Sequence, residues 1–133
     1  MWPIFLVQVI KVLSRNEPIV KISEFLPEEK WIKLAAAKDA FGNSCGVFSP
    51  LACKFCLTGA ATKISRDNLE YRAWMVRLSK HIEMLYGERV AVSLKQAKLI
   101  VGMKQYEKVV QYFNDHPDTT FEDVQRVLQS AGM

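Results

Sequence analysis

A chain of 133 residues, 50% hydrophobic and 24% charged, has the make-up of one ordinary globular domain. Folding buries about two thirds of the surface the unfolded chain exposes, so neither a disulfide nor a metal is needed to hold it together. The net charge of +4 is uneven, with 11 Lys and Arg against 5 Asp and Glu in residues 54–108 and 7 against 9 elsewhere, which permits an anionic partner without demanding one.

The apolar run Ile4–Leu13 is broken by Gln8 and Lys11 and falls well short of the roughly 20 residues a membrane span needs. It has no basic stretch before it and no small-residue cleavage site after it, so we expect a cytoplasmic protein with no membrane partner. Gln8, Lys11 and Arg15 are spaced three and four apart, on one face of a helix otherwise apolar. Pro18, Pro27 and the run Glu28-Glu29-Lys30 then mark a connection, with one short helix over 19–26.

Between Trp31 and Pro50, Asp39-Ala40-Phe41-Gly42-Asn43 reads as a turn between two short extended arms, because Gly and Asn accept positive φ. A small β-hairpin around residues 35–48 follows from that. Ser49-Pro50 is a helix-start signal, cap followed by proline, and predicts a helix over 50–64. In it only Lys54, Thr58 and Thr62 form a polar stripe, as in a central, buried helix.

Ser65 or Asp67 caps a long helix reaching about Tyr86, with Tyr71, Trp74, Met75, Leu78, Ile82 and Leu85 inward and Gly87 at its end. Ser93 starts a short helix carrying Leu94, Ala97, Ile100 and Val101, stopped by Gly102. Met103, Tyr106, Val109, Val110 and Phe113 line a helix ending near Asn114. After His116-Pro117-Asp118, Thr120 caps the last helix with Asp123 as its acidic partner; Phe121, Val124, Val127, Leu128 and Ala131 face inward, and Gly132 lies just past its end. The fold class is therefore mainly α: a compact single-domain bundle of about five to six helices over 1–133, with one short hairpin.

Three cysteines, Cys45, Cys53 and Cys56, are an odd number in a chain without export features, which argues for free thiols. A Cys53-x-x-Cys56 pair invites a metal or redox reading. On the 50–64 helix both would face inward, where a thiol has a raised pKa and is inert. Zinc wants four ligands, and the two histidines, His81 and His116, have no finger-like spacing. No metal and no cofactor is expected. A nucleophilic set of Cys56, His116 and Asn114 lacks the exposed, electropositive niche such a cysteine needs.

Gly59 in the middle of the most apolar helix costs about 1 kcal/mol relative to alanine. Close approach of a crossing helix or an aromatic ring explains it; the floor of a ligand pocket is the sharper alternative. Asn114-Asp115-His116-Pro117 gathers polar groups at a helix end, where local capping is the plain reading and recognition the other. Arg72, Arg77, Lys80, Arg89, Lys95, Lys98, Lys104 and Lys108 are possible anion-binding residues, set against a plain solvated exterior.

Residues 31–131 resemble a family of small uncharacterised bacterial and phage proteins. The resemblance rests, in order, on Trp31, Ala37-x-Asp39-x-x-Gly42, Phe55-Cys56-x-x-Gly59-Ala60, Phe113-Asn114-Asp115 and the Thr120-capped last helix with Asp123-Val124. Leu34 stands where the family usually has glycine, Phe55 and Phe113 stand where Trp is common, and residues 1–27 have no counterpart; the family-like core is 28–131. No activity comes with the resemblance. It implies that Trp31, Asp39, Gly42, Cys56, Gly59, Phe113, Asn114 and Asp115 form one cluster. In it, Asn114 and Asp115 would anchor the Asp39–Gly42 turn while Trp31 and Phe113 pack on Cys56 and Gly59.

With no catalytic constellation, the chain is expected to be a non-enzymatic accessory or interaction protein, phage- or mobile-element-encoded, that binds another macromolecule, foremost a protein. A nucleic-acid-binding regulator using the basic segment 66–108 is the alternative. A third reading is an enzyme built around Asp39, Cys56, Asn114 and Asp115.

Overall fold

The computed structural model describes residues 21–96 and 103–133, with backbone alone at 92–96. The expected helix over residues 4–13 lies outside the described residues, as do Lys98 and the side chains of Leu94 and Lys95. The described chain has five helices: α1 (Ile22–Phe25), α2 (Leu57–Ile64), α3 (Asn68–Gln96), α4 (Gln105–Asp115) and α5 (Phe121–Ala131). A 3-10 turn spans Glu28–Lys30, and two-residue strands β1 (Ala37–Lys38) and β2 (Lys54–Phe55) make the only sheet among the described residues. The mainly helical expectation holds.

The core forms where the apolar stripes meet. α3 packs most extensively on α4, and also on α5 and α2, while α1 bridges α2 and α5. Met75, Leu78 and Ile82 of α3, Val109, Val110 and Phe113 of α4, and Val124, Val127 and Leu128 of α5 are buried together with Ile22, Leu26 and Leu57. No helix among the described residues is long and apolar enough to cross a membrane.

The Asp39–Asn43 turn forms as expected. The Asp39 carboxylate accepts from the Phe41 and Asn43 amides, both at 2.9 Å, and Gly42 takes φ +85°. Its returning arm is short, with one bridge between Lys38 and Ser44 and a hydrogen bond from the Cys45 amide to the Ala37 carbonyl. The other edge of β1 is taken by β2, antiparallel, with Ala37 opposite Phe55 and Lys38 opposite Lys54.

That pairing corrects the expected helix over 50–64. The backbone from Cys53 to Cys56 is committed to β1 and its flank, Cys53 N–H donating to the Lys38 carbonyl and Cys56 N–H to that of Ala36. Ser49-Pro50 therefore opens a turn, in which the Ser49 hydroxyl accepts from Leu51 N–H, and the helix begins at Leu57. The Lys54/Thr58/Thr62 spacing runs from a strand into a helix and marks no single stripe. Cys53 is half-buried outside any helix, and only Cys56 is sealed in.

α3 starts where the sequence places it, Asp67 accepting from the Glu70 amide at 2.8 Å. It does not stop at Gly87: it runs on to Gln96 across a break at Tyr86, whose φ is −137° and ψ 30°. The break changes which residues face inward, so Leu85 is 41% exposed and Val90 is buried. α5 carries the expected reciprocal cap between Thr120 and Asp123, and Gly132 closes it at φ +70°.

Candidate functional site

Asn114 sits on the last turn of α4, fully buried. A buried carboxamide must spend both ends, and this one does. Its Oδ1 accepts from Trp31 Nε1 at 2.7 Å and from the Leu57 amide, the first of α2, at 3.0 Å. Its Nδ2 donates to the Ile32 carbonyl at 3.0 Å and to Asp115 Oδ1 at 2.9 Å. One side chain thus ties the end of α4 to the start of α2 and to the segment 31–34.

Asp115 and Lys33 complete the tie. Asp115 Oδ1 accepts from the Leu34 amide at 2.8 Å, and its Oδ2 from Gln111 Nε2 at 2.6 Å. Lys33 Nζ donates to the His116 carbonyl at 2.6 Å, putting a cation where the helix carbonyls and the α4 dipole leave partial negative charge. Leu34, 80% exposed, has φ +67°, the left-handed conformation that favours glycine. Glycine is the residue the resemblance leads one to expect there.

Cys56 is the N-cap of α2, and its Sγ accepts from the Gly59 amide at 3.2 Å. Burial pushes its thiol pKa up, outweighing that hydrogen bond, and the nearby Asp115 charge pushes the same way. A buried, protonated thiol is a poor nucleophile. Gly59 is explained by close approach, though of neither a helix nor a ring: a Cβ built there would lie 2.0 Å from the Ala36 carbonyl oxygen.

The cluster thus assembles in part. Trp31, Cys56, Gly59, Asn114 and Asp115 meet around segment 31–36. Asn114 and Asp115 bond to that segment rather than to the Asp39–Gly42 turn, which Asp39 holds by itself. Trp31 packs against Phe121, centroids 5.9 Å apart, and Phe113 against Tyr86 at 5.1 Å. Sequence reasoning missed Lys33, Ala36 and Tyr86; the glycine expected at Leu34 was the available hint that the 31–36 backbone is special. Among the described residues no group of His, Cys, Asp or Glu is arranged to hold a metal.

Among the described residues the basic side chains do not make one surface. Arg89 Nη1 is committed to Asp123 at 2.9 Å and Thr119 at 3.2 Å, and Lys108 is 9% exposed. Lys104 is exposed at the cap of α4. Arg72, Arg77 and Lys80, all exposed, share the outer face of α3 with Leu69, Ala73 and Val76 along a shallow depression of about 450 Å³. A second depression, of about 300 Å³, runs between Phe48 and the start of α3. Lys63 Nζ stands 5.4 Å from the Phe48 ring centroid.

No curated protein matches this chain, and no solved structure does. A family model matches residues 19–132, which takes in every described helix and the whole Asn114 node. The chain belongs to that family, DUF6197, a family of unknown function.

Proposed function

We propose that the chain is a non-enzymatic binding module that engages an acidic, apolar-bearing protein surface through the outer face of α3 and the exposed Phe48. One observation carries this reading. Leu69 and Val76, 77% and 37% exposed, share one depression with Arg72, Arg77 and Lys80, and Phe48, 68% exposed, stands at the start of α3 with Lys63 over its ring. Large apolar groups left in water and set among cations are the make-up of a recognition surface. The groups an enzyme would use support the same reading from the other side. Cys56 and Asn114 are 1% and 0% exposed, the Asp39 carboxylate is spent on backbone amides, and that of Asp115 on the Leu34 amide and the side chains of Gln111 and Asn114.

The test is a tagged capture from cell lysate with and without nuclease, comparing wild type with the double variant Arg72→Glu, Arg77→Glu. A protein partner that survives nuclease and is lost with the double variant supports the proposal. Capture that nuclease abolishes would turn the same cations to the alternative, nucleic-acid binding. Capture indifferent to the substitutions would remove α3 from either role.

A further inference from the structure

Phe41, in the turn that follows β1, is 90% exposed, more than any other large apolar side chain among the described residues. Loop 46–52 re-enters the sheet beside the same end of β1, where Cys53 N–H donates to the Lys38 carbonyl, and it carries Phe48 and Leu51, 68% and 69% exposed. Lysine predominates around these tips. Residues 31–64 hold four lysines and one acid, and that acid, Asp39, is taken up by the amides of its own turn. Lys33 is committed to the His116 carbonyl. Lys38 and Lys54 stand opposite each other on β1 and β2, on the sheet face away from the buried Ala37 and Phe55, and Lys63 lies beside Phe48. Like charges set directly across a strand pair repel, a cost that an anionic partner removes.

We infer that this end of the molecule docks on an anionic lipid bilayer surface, with Phe41 and Leu51 entering the headgroup layer and Lys38, Lys54 and Lys63 meeting the lipid charges. Shape and chemistry both favour that partner. Anchors in a protein interface sit in well-packed pockets, whereas a ring 90% exposed on a turn, with a leucine on a separate loop, needs a medium that closes around each tip, as the headgroup boundary does. Residues 31–64 contain neither arginine nor tyrosine, the residues suited to bidentate phosphate contacts and base stacking in nucleic-acid sites. Lysine near an anionic leaflet is attracted as a point charge, with no geometry required. The expectation of no membrane partner rests on the lack of a spanning segment, and docking at the surface needs none.

The test is flotation of the full chain with phosphatidylcholine vesicles, with and without phosphatidylserine. Wild type should float with the phosphatidylserine vesicles alone. Lys38→Gln with Lys54→Gln should weaken that binding more than tenfold, at about fivefold per lysine, and Phe41→Ser with Leu51→Ser by about tenfold. Phe41 and Leu51 are exposed, so the second pair should leave the thermal melt unchanged. Leu69→Ser, which weakens the α3 surface, should leave flotation unchanged, so this face and the α3 surface can fail separately. Wild type that stays off phosphatidylserine vesicles, floats equally with pure phosphatidylcholine, or ignores the loss of Phe41 and Leu51 would overturn the inference. So would flotation lost with Leu69→Ser, which would place the lipid on α3, or capture of a single-stranded oligonucleotide in place of vesicles, which would give this face to nucleic acid.

Discussion

Asn114 spends four hydrogen bonds with no exposure to water, and its truncation strands groups on two other segments. Asn114→Ala leaves Trp31 Nε1, the Leu57 amide and the Ile32 carbonyl without this partner. At the usual penalty for buried unpaired groups the loss is about 3 kcal/mol, or roughly 10 °C in a chain of this size. A thermal melt unchanged from wild type would end the structural account and return Asn114 to recognition. Gly59 and Leu34 test the backbone in opposite directions. Gly59→Ala gains about 1 kcal/mol of helix propensity, but its methyl collides with the Ala36 carbonyl; overpacking of this kind costs about 3 kcal/mol, so the variant should be clearly less stable. Leu34→Gly relieves about 1–2 kcal/mol of left-handed strain against about 0.5–1 kcal/mol of added chain entropy. The exposed leucine loses little burial, so the variant should be slightly more stable by denaturant titration.

At the scale of elements, the break in α3 and the start of α5 are one construction. Tyr86 Oη donates to Asp123 Oδ1 at 3.0 Å and accepts from Arg126 at 3.0 Å, while Arg89 pairs with Asp123 and lies 4.6 Å from the Tyr86 ring centroid. Burial pushes the Asp123 carboxyl up, but the Thr120 amide, Arg89 and Tyr86 together outweigh it and hold the pKa below the ordinary 3.8. A depressed folded-state pKa contributes stability that is present above the unfolded value and is lost as pH falls through the folded one. Stability should therefore decline as pH drops below about 4, and Asp123→Asn should flatten that acid limb in denaturant titrations run across pH. How far such features show in the sequence depends on range. The Thr120 cap was legible because its partner is three residues away, and the Asp39 turn because its bonds reach two and four residues. The Tyr86 break was not, since its partners lie 37 and 40 residues on. Ser49-Pro50 misled for the same reason: as a helix start it is locally sound, and what overrules it is a strand about a dozen residues upstream.

For the whole molecule, helical periodicity was enough to foresee which stripes close on each other, because burial of α3, α4 and α5 is mutual and leaves little choice of face. The surface was less legible: charge in sequence does not show that Arg89 is spent on Asp123 or that Lys108 is buried. What remains exposed on α3 separates its two possible partners by salt. Leu69 is 77% exposed, so Leu69→Ser should move stability by less than about 0.5 kcal/mol. In a protein complex it removes an apolar contact worth about 1–2 kcal/mol, a drop in affinity of roughly tenfold. Charge pairs at the rim are screened only modestly between 50 and 200 mM salt, so the wild-type affinity for a protein partner should fall by well under a hundredfold. A nucleic acid held by six or more phosphates would lose about a thousandfold over the same range, and with little dependence on Leu69. Titrating wild type and Leu69→Ser against the captured partner at the two salt concentrations therefore decides the matter: a steep salt slope with an indifferent Leu69 would overturn the protein-binding proposal.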